Sequence, residues 1–251
     1  VVISTSGTII FGDGVTSTGA IGTVNGRTRF QGAFRNEGDF RLGQGIATTS
    51  AAFVNTGTIY GEAGALNIAP SGSSCSVLGG AGTFVPGTST VYFYDQAGDC
   101  YLTPAFTPYY NFVLAQGDVQ SYASTTVRNA FSIHTGAAYH GQNSPSQALN
   151  VGGVYTNNGT VDIGTAPLTV NGTFANTADA TFTASNSATA VVALRGAVTN
   201  AGTVTMPVLT TVQYGSSASV NVMPMIYGNL GFICSGTYNI TASTTAVATT
   251  T

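Results

Sequence analysis

The sequence predicts an all-β protein, a β-solenoid of the parallel β-helix kind. Three observations point there: a long internal duplication, a shorter phrase recurring at the length of one coil, and strand-like alternation without helical periodicity. The segment GAFRNEGDF, starting at Gly32, returns as GVYTNNGTV from Gly153. Later landmarks keep that spacing, with Gly38 and Gly159 121 residues apart, Gly82 and Gly202 120 apart, and Val91 and Val212 121 apart. The register persists to the last part of the chain, where Asn111 matches Asn229 and Ser124-Thr125-Thr126 matches Ser243-Thr244-Thr245. Stacked structural units tolerate such small slips because loops absorb them. The duplication predicts two tandem copies of about 120 residues, 1–129 and 130–251, forming one continuous structural domain.

Within each copy a small residue is followed two positions on by an apolar one, then by Asn and a glycine turn. The phrase appears at 32–40, 51–59, 153–161, 172–180 and 196–204, placing Asn36, Asn55, Asn157, Asn176 and Asn200 at equivalent positions. Neighbouring asparagines are 19 or 24 residues apart, the length of one solenoid coil. Phe34, Phe53, Tyr155, Phe174 and Val198 supply the apolar member. Asn tolerates left-handed backbone and Gly adopts it freely, so the chain turns there. Alternation then resumes, as in Thr160-Val161-Asp162-Ile163, at the two-residue period of a strand.

Short strands punctuated by Gly and Asn also fit β-sandwich repeats, and the coil-length self-similarity decides for the solenoid. Right-handed coils are the expectation. About 11 coils at ~4.8 Å each would extend roughly 50 Å. The repeated asparagines then serve either as a ladder of side-chain amides bonded from coil to coil or simply as turn residues.

Composition narrows the function classes. Charged residues are 6% of the chain, lysine is absent, the net charge is −3 and mean hydropathy is +0.24. Disorder requires low hydrophobicity with high net charge, so this chain is expected to fold. Six arginines do not form the basic stripe a nucleic-acid partner needs. No apolar run approaches the roughly 18 residues of a membrane-spanning helix. No segment reads as a signal peptide, and a chain opening on Val1-Val2 reads as a mature product or fragment.

Of three cysteines, Cys75 and Cys100 lie one coil apart, so they could meet on neighbouring layers. Their counterparts in the other copy fall near Arg195 and Val220, so the two appear together and vanish together, as a bonded pair would. The alternative is two independent small core residues. A disulfide would imply an oxidising setting outside the cytoplasm. Cys234, opposite Ala115, is expected as a small buried filler.

Catalytic chemistry is sparse, and no enzyme, cofactor or metal site is expected. His134 and His140 have no metal-ligand spacing around them and read as exposed loop residues. Asp95 with Asp99 and Glu37 with Asp39 are the carboxylate pairs a polysaccharide-cleaving site would use. The other copy lacks both pairs, and a calcium site at Asp95 and Asp99 would want six or more oxygens. Arg27, Arg29, Arg35 and Arg41 share odd positions and read as a solvated stripe or an electrostatic contact with another subunit. Asn158, Asn171 and Asn239 stand in Asn-x-Ser/Thr sequences, which a Thr-rich chain produces readily by chance.

Tyr92, Phe93, Tyr94, Tyr101, Phe106, Tyr109, Tyr110 and Phe112 form a dense aromatic cluster. They are either core with a loop cap or an outer patch for a glycan or partner. Tyr92, Tyr94, Tyr109 and Tyr110 are the patch candidates.

The strings STVYF followed by YYNFVL, and TVQY followed by YGNLGFI, alternate with the Asn-Gly-Thr phrase. This pattern resembles the repeats of large secreted bacterial surface proteins and adhesins with β-helical stalks, especially those of Bacteroidota. The resemblance covers most of both copies and breaks at Cys100 and the 104–108 region. It implies an extracellular or cell-surface structural or adhesive role and brings no catalytic residues.

An open solenoid exposes unpaired backbone at both ends unless capped. The first residues (Val1, Val2, Ile3, Ile9, Ile10, Phe11) and the last (Ile240, Ala242, Val247) are apolar or β-prone and uncapped, hence candidate subunit interfaces. By the duplication offset both ends map onto one slot of the repeat. The expectation is a structural subunit that self-assembles head to tail into an extracellular filament or surface stalk. A glycan- or surface-binding adhesin is the alternative, and a polysaccharide lyase or hydrolase the remote one.

Overall fold

In the computed structural model, residues 2–3, 7–12, 14–23, 25–69, 78–94, 100–102, 107–141, 144, 146–185, 187–216, 219–223, 225–240 and 245–249 are described. Their secondary structure is all β, without a helix, and the strand pairs are parallel. The strands stack as a β-solenoid of about 11 turns, which excludes the sandwich alternative. The chain divides into two compact units, Val1–Tyr122 and Ala123–Thr251. The expected copy boundary, after residue 129, falls inside the strand Thr125–Ile133.

In the first unit each coil contributes strands to three faces. One face stacks Ile21–Thr23, Asp39–Arg41, Thr58–Tyr60 and Thr83–Val85. A second stacks Thr8–Phe11, Arg27–Phe30, Ile46–Thr49, Ala65–Ile68, Thr90–Tyr94 and the start of Tyr109–Ser121. The third stacks Val15–Ser17, Phe34–Asn36, Phe53–Asn55 and Leu78–Gly79. The strands are mostly three to five residues long because a corner interrupts each after that.

Alternation sorts the side chains. In Arg27–Phe30, Thr28 and Phe30 point inward and are buried, while both arginines are exposed. Parallel in-register stacking then lines up identical positions from coil to coil. Phe30 stacks on Phe11 at 5.2 Å and on Phe34 at 4.0 Å, and Phe34 continues to Phe53 at 5.1 Å. These inward columns form the core, and truncating one such Phe to Ala would cost about 3–5 kcal/mol.

The second unit is built alike. Leu149–Val151, Leu168–Val170, Val191–Leu194, Thr211–Tyr214 and Ile226–Phe232 stack on one face. Val154–Asn157, Phe174–Asn176 and Val198–Asn200 form another, and Ala137–His140, Thr160–Asp162, Thr181–Thr183 and Thr203–Thr205 the third. Tyr155 stacks flat on Phe174, with centroids 5.1 Å apart and an interplanar angle of 2°.

The repeated asparagines form a ladder inside the corner. Asn36 Nδ2 donates to Asn55 Oδ1 at 2.8 Å; in the second unit Asn157 donates to Asn176, and Asn176 to Asn200, each at 2.8 Å. The same amides close the turn. Asn36 Nδ2 also donates to the carbonyls of Gly38 and Thr58, and Asn157 Oδ1 accepts from Gly159 N. Ladder and turn are thus one device: buried amides that satisfy one another and the backbone they bend.

The glycine after each turn is fixed by space. A Cβ on Gly57 would lie 2.1 Å from the carbonyl oxygen of Gly38 in the coil before, and one on Gly172 would lie 2.4 Å from that of Gly153. The ladder in the first unit stops at Gly80, whose φ of 103° and close approach to the Asn55 backbone leave no room for another amide.

Candidate functional site

The features that could meet a partner are the terminal coils and the outer faces. In the first unit, Ile9 shares an inward column with Thr28, Ala47, Leu66, Val91 and Phe112. Ile9 is 37% exposed, whereas the five below it are at 1% or less. Phe11 and Val15 are likewise inward but half-buried, although Phe30 and Phe34 beneath them are fully covered. Phe11, Val15, Ser17 and Ile21 line a cavity of about 350 Å³ over this first coil.

The last coils of the second unit differ, because the strand Thr245–Thr249 still stacks on Ile226–Phe232. Val127, Val151, Val170, Leu194 and Tyr214 are buried in one column, and Phe232, the last of its described members, is 44% exposed. Ile240 stands over buried Val222 and is itself exposed. Phe232 packs only partly, against Tyr238 with ring centroids 4.4 Å apart. Of the other interface candidates, Ile10 is exposed and outward-facing. Val2 and Ile3 pair with Gly22 and Thr23, and Val247 lies in the strand Thr245–Thr249. Val1 and Ala242 lie outside the described residues.

The tyrosine candidates separate. Tyr92 and Tyr94 lie on the outer side of their strand, partly exposed, with nearly parallel rings 6.1 Å apart. Tyr109 is a correction: it is 1% exposed and stacks flat on buried Phe112 at 4.4 Å, so it is core and not partner surface. Tyr110 is half-buried, and Tyr101 is exposed beside Tyr122. Phe106 lies outside the described residues.

The charges do not form one stripe, because corners intervene between them. Arg27 and Arg29 share one face, while Arg35 and Arg41 sit on the other two. Arg35 pairs with Glu37 at 2.5 Å, and Arg41 pairs with Glu62 at 3.1 Å and covers the ring of Tyr60. Glu37 lies in a turn and Asp39 begins the next strand, so the two do not share a strand face. Arg27 and Arg29 have no ion pair among the described residues.

Cys100 is disulfide-bonded. Cys75 lies outside the described residues, as do Asp95 and Asp99. Cys234 is a free, exposed thiol in a turn, not the buried filler expected of a residue opposite Ala115. His134 is exposed, whereas His140 ends a strand and is half-buried. Among the described residues no three His, Cys, Asp or Glu side chains come together as metal ligands. Among the described residues no helix is long and apolar enough to cross a membrane.

Sequence reasoning missed the state of three buried tyrosine hydroxyls. Burial pushes the Tyr155 phenol well above its ordinary range, with Tyr139 adding to the effect, and its hydroxyl has no hydrogen-bond partner. Tyr214 and Tyr227, also raised chiefly by burial, are satisfied in a closed ring. Met223 N donates to Tyr214, the two hydroxyls lie 2.9 Å apart, and Tyr227 donates to Met223 O at 2.6 Å. The alternation around Tyr155 marked it as inward. Nothing local marked its hydroxyl as unpaired.

No protein-family model matches the chain, and comparison with curated proteins and with solved structures yields no significant match.

Proposed function

We propose that this chain is a structural, non-catalytic segment of an extracellular filament or surface stalk, its terminal coils stacking on those of a neighbouring copy. The observation that carries the reading is the exposure of inward-facing apolar residues in the first described coil, where Ile9 tops a column whose remaining members are buried. A coil laid over Ile9 would bury it together with Phe11 and Val15 and pair the strand edges, which parallel stacking otherwise leaves open. Burial at ~25 cal/mol per Å² of apolar surface favours such contact. Because the two ends are different surfaces, the contact is heterologous, and a heterologous contact that does not close grows into a fibre.

The chemistry of the interior supports a scaffold. Its buried polar groups are mainly Asn, Thr and Ser, which can hold coils together without charge. The disulfide at Cys100 fits an oxidising, extracytoplasmic setting.

Sedimentation of the whole chain and of Ile9→Asp tests the reading. The wild type should form concentration-dependent polymers, and the variant, which places a charge on the open column, should remain a folded monomer with an unchanged far-ultraviolet spectrum. Equal polymerisation of both would remove the terminal coil from the contact.

A further inference from the structure

The outer side of the six-strand face in the first unit is chemically unlike the rest of the molecule. Its outward columns run Thr8, Arg27, Ile46, Ala65, Thr90, Asn111 and Ile10, Arg29, Thr48, Asn67, Tyr92, Val113. Tyr94, paired with Gln116, stands beside the second column. These positions carry two cations and no acid, in a chain whose net charge is −3. Arg27 and Arg29 alternate on one strand, so their guanidinium groups stand side by side with like charge. Neither has an ion-pair partner among the described residues, unlike Arg35 and Arg41.

We propose that this face binds an acidic polysaccharide laid along the solenoid axis, across the strands. Three features select that ligand. Tyr92 and Tyr94 present two rings inclined by only 20°, a platform for the apolar faces of sugar rings. Asn67, Thr48 and Gln116 place amides and a hydroxyl beside that platform, suited to sugar hydroxyls. Three strand spacings away, ~14 Å at ~4.8 Å per strand, the arginine pair offers forked donors that match carboxylate or sulfate oxygens. Strand spacing is close to the advance of one residue in an extended 1,4-linked sugar chain, so successive sugars meet successive coils. A single sugar cannot reach from Tyr92 to Arg29; a chain of several can.

A protein with an overall negative charge repels polyanions in general, so retention would mark a local site. The site makes no use of the terminal coils, so failure of end-on assembly and failure of polysaccharide binding are separate outcomes.

Affinity electrophoresis of the whole chain through gels containing polygalacturonate, or an uncharged glucan of similar length, tests the proposal. Polygalacturonate should retard the wild type, less so as salt rises. The glucan should retard it weakly, and galacturonate monomer should not compete. The double variant Arg27→Gln/Arg29→Gln should lose roughly tenfold or more in apparent affinity for polygalacturonate. Tyr92→Ala/Tyr94→Ala should weaken binding to both polymers, and each variant should keep the wild-type thermal transition. No retardation of the wild type, undiminished retention of either variant, or equal binding of both polymers by wild type would each overturn the proposal. So would self-association that Arg27→Gln/Arg29→Gln abolishes without any polysaccharide bound, since the occupant would then be a second copy.

Discussion

Asn36 and Asn55, 19 residues apart in sequence, meet in adjacent coils with the side-chain amide of the first donating to the side-chain oxygen of the second at 2.8 Å. Each also reaches a backbone carbonyl of the next coil, Asn36 that of Thr58 and Asn55 that of Thr83. One residue type therefore binds the stack lengthwise and shapes its corner.

Removing a central rung should be costly. Asn176 accepts from Asn157 and donates to Asn200 and to the Thr203 carbonyl. Asn176→Ala strands buried polar groups on both neighbours, and a loss of about 2–3 kcal/mol is expected in chemical denaturation. Hydrogen exchange should quicken mainly in the coils around residue 176, since solenoid repeats are stabilised by their neighbours.

Extending the ladder should do the reverse. Ser17 occupies the slot opposite Asn36, its hydroxyl turned to the Gly19 carbonyl, and Asn36 Oδ1 is buried without a donor. Ser17 also borders the cavity over the first coil, so a longer side chain has room. Ser17→Asn supplies the missing amide and should stabilise the chain by about 1 kcal/mol, measured by denaturation midpoint at unchanged slope.

Coil spacing makes the corner glycines unequal to other glycines. Gly57→Ala drives a methyl into the Gly38 carbonyl and should cost about 1–3 kcal/mol. At Gly12 an added Cβ meets nothing within 4 Å, and Gly12→Ala should leave the thermal transition within error of wild type.

Tyr155 carries a pH dependence. Its folded phenol is raised above the ordinary value of 10.0 by burial, then by Tyr139. Below pH 10 folded and unfolded chains both keep the proton. Above it the unfolded chain ionises first, so stability falls as pH rises. Tyr155→Phe continues the column of Phe131 and Phe174 and removes an unpaired hydroxyl. It should stabilise the protein by about 1 kcal/mol near neutrality and flatten the alkaline decline, measured by thermal melts from pH 8 to 11.

Much of the fold was legible in the sequence because the solenoid repeats its environment every coil. A buried amide at Asn36 needs the same neighbour at Asn55, so the chain writes Asn twice. Inward parity was likewise legible inside strands, as with Phe93 between Tyr92 and Tyr94. It failed where a corner resets the parity. Arg29 and Arg35 share odd numbering yet occupy different faces, and Glu37 lies in the turn that precedes the strand of Asp39. Tyr109, in an aromatic run, gave no sign of its stack on Phe112, because that contact depends on how the strand enters the coil. The open first coil was legible from the uncapped apolar residues there, but which of them faces inward was not. Ile9 and Thr28 occupy the same inward column, and only the absence of a coil above Ile9 among the described residues separates their exposure.

Negative-stain electron microscopy of the purified whole chain, across a tenfold range of concentration, addresses the central claim most directly. Stacking of the last coil of one copy on the open column at Ile9 of the next predicts unbranched fibres that lengthen with concentration. Monodisperse single particles at every concentration would contradict it.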